Sequence, residues 1–324
     1  MPEEQNEPHK KDTKPWTQSN WWIILNPAAG NGKCRRLRPA IEACLRKNGF
    51  TFTLVETERR GHAIQLVEEG IQKGFRQIIA VGGDGTNNEV INGIMQQQSI
   101  PSTDIVYTLI PVGTGNDWIK THGIPNHYNK WIPRIATAQL VCQDIGLVSY
   151  YKDGQPAQQY FANIAGLAYD AYLTKVKSEK SPRILPTIYY LYLVLVYLFK
   201  YQLRRAKVIF DGEDVEDYFY TINIGVCRYS GGGMQFVPHA VPDDGRFAMT
   251  IARKVSKLDV LLYTPNIFAG TLDNHPQVTS HYATSVRVEP MEARPTLVEV
   301  DGEFLGEAPA EFSLLKKRLH LLRP

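Results

Sequence analysis

Asp84 stands in a run of glycine and small polar residues, Ala80-Val81-Gly82-Gly83-Asp84-Gly85-Thr86-Asn87-Asn88-Glu89. Where side chains are missing, backbone N–H groups can come close to a ligand, and a helix N-terminus favours an anion. A carboxylate among such groups makes sense when a hard cation bridges it to phosphate oxygens. Mg²⁺ takes one or two carboxylates plus phosphate oxygens. The stretch therefore points to a metal–nucleotide polyphosphate. Two further carboxylates, Asp301 and Glu303, flank Gly302. Two apart, they point to one face of an extended strand. There one can accept a proton from an attacking hydroxyl while the other orients it or a metal. The plainer readings are a tight turn for the first stretch and a solvated hairpin for the second.

The elements that position these residues follow from the pattern. Gln77-Ile78-Ile79-Ala80-Val81 is short, apolar and β-branched, and reads as a buried strand. Glu89 to Met95 has helical spacing, so the glycines fall at a strand-to-helix turn. Trp21 to Leu25 is a first strand, followed by Asn26-Pro27-Ala28-Ala29-Gly30-Asn31-Gly32-Lys33 and a basic helix from about Cys34. This loop is not a Walker A motif, because Pro27 and Cys34 stand where Gly and Ser or Thr are required. Lys33 and Arg35 can supply charge there. Thr51 to Val55 is a second strand with Thr57 beyond its end, and His62 to Lys73 is a helix. Ile105 to Ile110 is a fourth strand, ending in Pro111-Val112-Gly113-Thr114-Gly115-Asn116-Asp117. Alternating strands and helices predict a parallel, doubly wound sheet. Ligands bind such sheets beyond the carboxyl ends of the strands, so the loops at those ends should converge on one crevice.

After about Val141 the pattern changes to short strands separated by turns, an antiparallel β region. Asp211-Gly212-Glu213-Asp214 reads as a hairpin turn with solvated acids, and Gly231-Gly232-Gly233 as a loop. Residues 184–199 form the most apolar segment. It is shorter than the about 20 residues that span a bilayer. Its basic flanks, Lys175, Lys177, Lys180 and Arg183 before it and Lys200, Arg204 and Arg205 after, suit a membrane interface; a core helix covering the β region is the other reading.

The net charge of +3, from 36 basic and 33 acidic residues, implies no nucleic-acid partner. The cysteines Cys34, Cys44, Cys142 and Cys227 are scattered and form no CxxC pair, as reduced thiols do. Met1 to Lys14 is charged and lacks an apolar core, so a disordered tail is expected rather than a signal peptide, and with it a cytoplasmic location. No heptad pattern or symmetric patch fixes an oligomeric state; a homodimer stays open.

Together these motifs resemble the diacylglycerol kinase catalytic-domain family of lipid kinases, in particular its soluble bacterial branch, to which sphingosine and ceramide kinases are related. The matching residues are Asn26-Pro27-Ala28-Ala29-Gly30, Gly82 to Glu89, Pro111 to Asp117, Gly231-Gly232-Gly233, Asp244-Gly245 and Asp301-Gly302-Glu303, in the family's order. The resemblance implies an α/β nucleotide-binding domain of the NAD-kinase and phosphofructokinase kind followed by a β-sandwich-like domain. Expected boundaries are a tail over 1–19, an ATP-binding part over 20–142 with 312–324 returning to it, and a lipid-kinase C-terminal part over 143–311. The implied reaction moves the γ-phosphate of ATP to the hydroxyl of a membrane lipid, most simply diacylglycerol, at the inner membrane face. Asn26, Pro27, Ala28, Ala29, Gly30, Thr57, Gly82, Gly83, Asp84, Gly85, Thr86, Asn87, Asn88, Glu89, Gly113, Thr114, Asn116 and Asp117 would hold ATP. Asp84 would position Mg²⁺. Glu303 is the family's usual base, with Asp301 the competitor. A second, structural Mg²⁺ would sit at Asp244 with backbone oxygens near Val241 and Arg246. Asn87 and Gly115 depart slightly from the family pattern, and no lipid-recognition motif carries over. The alternatives are an NAD kinase-like enzyme acting on a soluble metabolite and a catalytically silent, membrane-associated regulator.

Overall fold

The computed structural model of the chain describes residues 16–180 and 196–324. Most of the apolar segment 184–199 thus lies outside the described residues, as do Met1 to Lys14. Trp16–Gln18, inside the span expected to be a tail, form a 3₁₀ turn, and Trp16 Nε1 donates to the Ala138 carbonyl at 3.0 Å.

Strands β1 (Asn20–Leu25), β2 (Thr51–Glu56), β3 (Gln77–Gly82) and β4 (Val106–Pro111) pair in parallel, in the order β2-β1-β3-β4. Helices α1 (Lys33–Lys47), α2 (His62–Gln72), α3 (Asp84–Gln96), α4 (Asp117–His122) and α5 (Tyr128–Ile135) connect and cover them. The strands are near-continuous apolar runs because both sheet faces are covered. Trp21, Trp22, Ile79, Ile110 and Trp131 are fully or almost fully buried in one core with Ile41, Val67 and Ile94 from the helices. α3 begins at Asp84 rather than near Glu89, so Gly85 to Glu89 lie in its first turns and not in a loop.

The rest of the chain is mainly β. β5 (Gln139–Lys152), β6 (Gln155–Phe161), β7 (Ile164–Ala168), β8 (Arg204–Phe210), β9 (Glu213–Phe219) and β10 (Thr221–Gly225) are followed by a two-stranded ribbon, β11 (Tyr229–Ser230) and β12 (Met234–Gln235). Then come β13 (Phe247–Ala252), β14 (Val278–Ala283), β15 (Ser285–Pro290), β16 (Leu297–Val300) and the long β17 (Glu303–Arg323). Helices α6 (Tyr169–Lys180) and α7 (Lys257–Ala269) interrupt them. One antiparallel layer runs β14-β13-β10-β7-β16; β9-β8-β15 and β5-β6 face it. Leu167, Ile222 and Phe247 of the first layer share a core with Val208, Val286 and Phe312 from the other side. This is the packing of two sheets in a sandwich.

β17 belongs to both halves. Its start pairs with β16, its middle with β15 and β5, and its end runs parallel to β4, with His320 opposite Val106 and Leu321 opposite Tyr107. Asp144 fixes the bend. Its carboxylate accepts the N–H of Lys317 at 2.6 Å and of Gly245 at 2.7 Å. Asp211, read from sequence as solvated, instead accepts the N–H of Thr284 at 2.8 Å and of Ser285 at 3.1 Å, and so caps the start of β15.

Candidate active site

The crevice forms where the loops at the carboxyl ends of β1, β3 and β4 touch backbone to backbone. A Cβ on Gly30 would sit 2.5 Å from the Val112 carbonyl oxygen, and one on Gly113 would sit 2.5 Å from the Gly83 Cα. Glycine is required because no side chain fits between the chains. Asn26 ties two of the loops together: its Nδ2 donates to Thr86 Oγ1 at 2.9 Å, and its Oδ1 accepts the Ala28 N–H at 3.0 Å. Pro27 is buried, whereas Ala28 is exposed and Ala29 half-buried. Thr57 continues β2, its N–H donating to the Leu25 carbonyl at 2.9 Å. The N-cap of α3 is Gly83, which brings no side chain to the first-turn N–H groups. Those groups remain for an anion, aided by the helix dipole. Thr114 is exposed beside them.

Asp84 opens α3. Its Oδ1 accepts the N–H of Asp117 at 2.8 Å, so it caps α4 from across the crevice. Its Oδ2 faces Gly115, where a Cβ would lie 3.0 Å away. Burial, with the neighbouring Asp117 adding, pushes the Asp84 carboxyl above the usual carboxylate range. Asp117 is itself held, by Lys120 Nζ at 2.5 Å and by the Gly232 N–H at 2.7 Å. The glycine loop between β11 and β12 is thereby tied to α4. A hard carboxylate oxygen beside an open helix N-terminus fits Mg²⁺ shared with phosphate oxygens. At the second metal site expected at Asp244, the carboxylate is held within its own turn. Asp244 accepts the Arg246 N–H at 3.0 Å and pairs with the Arg246 guanidinium at 3.3 Å. Val241 is exposed at 38%. Among the described residues no group of three or more His, Cys, Asp or Glu side chains converges as a metal cluster.

The Asp301-Gly302-Glu303 turn differs from the sequence expectation. Asp301 and Gly302 both have positive φ, at 51° and 81°, and Val300 pairs directly with Glu303. This is a two-residue hairpin of the kind that Asp-Gly favours. The chain reverses at Asp301, so its carboxylate and that of Glu303 do not share a face. Asp301 turns inward. It accepts Asn88 Nδ2 at 2.9 Å and the N–H groups of Ala162 at 3.2 Å, Asn163 at 3.0 Å and Ile164 at 3.2 Å. Burial pushes its carboxyl up to about 6, against the pull of those donors. Glu303 turns outward, its side chain 37% exposed and paired with Arg60. A Cβ on Gly85 would lie 3.5 Å from Glu303 Oε1. Glu303 therefore stands directly over the first turn of α3.

Several residues expected to hold ATP also make hydrogen bonds within the protein. Asn87 is 2% exposed and accepts the Tyr107 hydroxyl at 2.6 Å, beneath the crevice. Asn88 is spent on Asp301. Asn116 is 2% exposed, and its Nδ2 donates to the Gly113 carbonyl at 2.9 Å. Glu89 accepts the Gly61 N–H at 2.8 Å and so anchors the loop that carries Arg60.

Four residues escaped the sequence reading. Arg60 sits beyond the end of β2, a place where ligand-facing residues are expected, and Lys120 lies one turn after Asp117. Both signals were present. Glu299 is 5% exposed on β16 and accepts the Gly302 N–H at 2.8 Å. Burial, then the nearby Asp170, holds its carboxyl well above the usual range. Asp170, on α6, is pushed up by burial too and accepts the Thr221 hydroxyl. Nothing in the local sequence marks this pair, because only tertiary packing brings β16 against α6.

Comparison with known proteins places these motifs. Residues 20–148 match the diacylglycerol kinase catalytic domain, and residues 164–323 match the YegS C-terminal NAD kinase beta sandwich-like domain. A diacylglycerol kinase of Staphylococcus carnosus TM300 is 28% identical over 306 residues, 93% of this chain and 94% of that protein. One of Staphylococcus aureus MRSA252 is 27% identical, over 93% of this chain and 91% of that protein. The crystal structure of a diacylglycerol kinase from Bacillus anthracis Sterne superposes with a TM-score of 0.69 at 22% identity, covering 94% of this chain and 97% of that one. Yeast NADH kinase complexed with NADH gives 0.52 at 12% identity, covering 94% and 84%. The last two are likenesses of fold.

Proposed function

The chain belongs to the diacylglycerol kinase catalytic-domain family, and from that premise we propose that it transfers the γ-phosphoryl group of ATP to the hydroxyl of a membrane lipid, diacylglycerol giving phosphatidic acid. One observation carries the proposal: Glu303, from the β half, lies over the helix N-terminus at Gly83–Gly85 in the α/β half. An acceptor hydroxyl next to Glu303 would meet a phosphoryl group held at that terminus.

Phosphoryl transfer needs in-line positioning and neutralised charge more than covalent chemistry from the protein. Asn26 to Gly30, Gly83 to Thr86 and Thr114 form the cradle for the phosphates. Asp84 would hold Mg²⁺, which when bound neutralises phosphate oxygens. Glu303 takes the acceptor's proton as its oxygen bonds to the γ-phosphorus and the bond from that phosphorus to the ADP oxygen breaks. Arg60 pairs with the Glu303 side chain beside the cradle. Asp301 is a positioning residue; it knots the hairpin to Asn88 on α3 and to the backbone before β7. A lipid hydroxyl lies at the bilayer surface, so the enzyme works as a peripheral protein reached from the cytoplasm.

The test is transfer of labelled γ-phosphate from ATP–Mg²⁺ into organic-extractable product, with diacylglycerol in mixed micelles and Asp84→Ala as control. Label in the lipid, lost in the control, supports the reading. Label entering NAD and no lipid overturns it in favour of a soluble-metabolite kinase. ATP binding without transfer to any acceptor overturns it in favour of a silent regulator.

A further inference from the structure

α7 is apolar on both faces, yet none of its residues is buried. Its inner face, with Val260, packs on Tyr169, Leu198 and Tyr201, a layer that also includes Tyr172 and Leu173 of α6. Its outer face has no such cover. Leu258 at 64% exposed, Leu262 at 63%, Phe199 at 59% and Phe268 at 51% are the most exposed large apolar side chains among the described residues. All belong to one surface. Leu258, Leu262, Pro265 and Ala269 are exposed at helical spacing, which makes a continuous stripe along α7. Phe199 joins it through Lys257, whose Nζ donates to the Phe199 carbonyl at 2.5 Å and lies 5.6 Å from the centre of its ring. A helix that is hydrophobic all round belongs in a core or against a membrane. This one is not in the core.

The charges around the stripe choose the occupant. Lys257 stands at the N-terminal end of α7, where a positive charge opposes the helix dipole; Lys254, just before it, is paired with Asp217 at 3.2 Å. The helix gains its N-terminal stability elsewhere, from Ser256, whose Oγ accepts the Asp259 N–H at 3.1 Å. The Lys257 charge is therefore not there for the helix. Lys200 follows Phe199 on the other side of the same surface. A short helix with an apolar outer stripe and basic residues at its edge is the composition that lies in the headgroup region of a bilayer. No helix among the described residues is long and apolar enough to cross one.

We propose that the outer stripe of α7, with Phe199, inserts into the surface of a bilayer containing anionic lipid, and so holds the mouth of the site against its acceptor. The proposal rests on the lipid-kinase reading for its purpose, but its measurement is separate. The apolar side chains provide the insertion, and Lys257 and Lys200 the preference for negative headgroups.

The experiment is co-sedimentation of the full chain with vesicles of phosphatidylcholine containing phosphatidylglycerol as the minority lipid. Wild type should partition to them, less so at high salt. Leu258→Gln with Leu262→Gln should lower the partition coefficient about tenfold or more, with the melting temperature unchanged. Leu140→Gln, an exposed apolar residue on β5, should leave partition as it was. Should the double variant fold poorly, Leu262→Ser alone gives the same comparison. Transfer to a short-chain diacylglycerol kept monomeric should stay within about twofold of wild type, because no surface is then needed. Should that acceptor take no phosphate while the vesicle result stands, the kinase reading falls and the docking surface remains. Equal partition of wild type and double variant overturns the proposal. So does loss of partition accompanied by a dimer-to-monomer shift in gel filtration, which assigns the stripe to contact between copies.

Discussion

Glu303 and Asp301 are neighbours in sequence with opposite tasks. Glu303 is open, charge-paired and above the first turn of α3. Glu303→Gln should leave ATP binding near normal and lower turnover at least about a hundredfold; single-turnover assays beside nucleotide titrations check this, and unchanged turnover removes Glu303 from the role. Asp301 is internal, and its effect is on stability. Its carboxyl rises from 3.8 to about 6 on folding. A raised pKa means that the folded state holds the proton more tightly. The resulting stability is complete below pH 3.8 and is lost as pH rises through about 6. Relative to Asp301→Asn, which does not titrate there, wild type should lose up to about 3 kcal/mol across that window. Denaturant unfolding at a series of pH values measures the difference, and parallel curves for the two proteins would sink the assignment.

At the scale of elements, the site depends on loops that meet without side chains between them. Gly113→Ala places a methyl against the Gly83 backbone and Asn116 Oδ1, and neither is a flexible chain end. The β3 and β4 loops must then part, at a cost of about 1–3 kcal/mol, and ATP affinity should fall before overall stability does. Calorimetric titration with ATP beside thermal melts separates the two. How far the sequence could be read follows the same division. β1 to β4 and the crevice at their carboxyl ends were legible, because doubly covered parallel strands are runs of apolar residues and their loops are rich in glycine. The start of α3 was not. Asp84, Gly85 and Thr86 look like turn residues, and only the tertiary setting makes them helical. The hairpin at Asp301 was misread as extended, although Asp-Gly between two strands is a type of turn that reverses the chain. α7 went unseen, since an apolar helix with an exposed face lacks the one-sided pattern by which surface helices are recognised. That Asn87 and Asn116 are buried and hydrogen-bonded within the protein was not legible either, because polar residues in a glycine loop look alike in sequence.

The whole molecule is held together along one strand. β17 begins beside Glu303, crosses the β sandwich and ends as the neighbour of β4 in the α/β sheet. A rigid connection between Glu303 and the glycine loops of the crevice is the gain. The cost appears during synthesis. A nascent chain leaves the ribosome from its amino end, so β4 emerges with its outer edge unpaired and waits through the making of the whole sandwich for His320 and Leu321. An unpaired parallel edge is a template for wrong partners. The nucleotide half can thus collapse early but cannot close its sheet until translation is nearly finished. Chaperone dependence and aggregation of this protein should therefore track the interval between the synthesis of β4 and that of the end of β17.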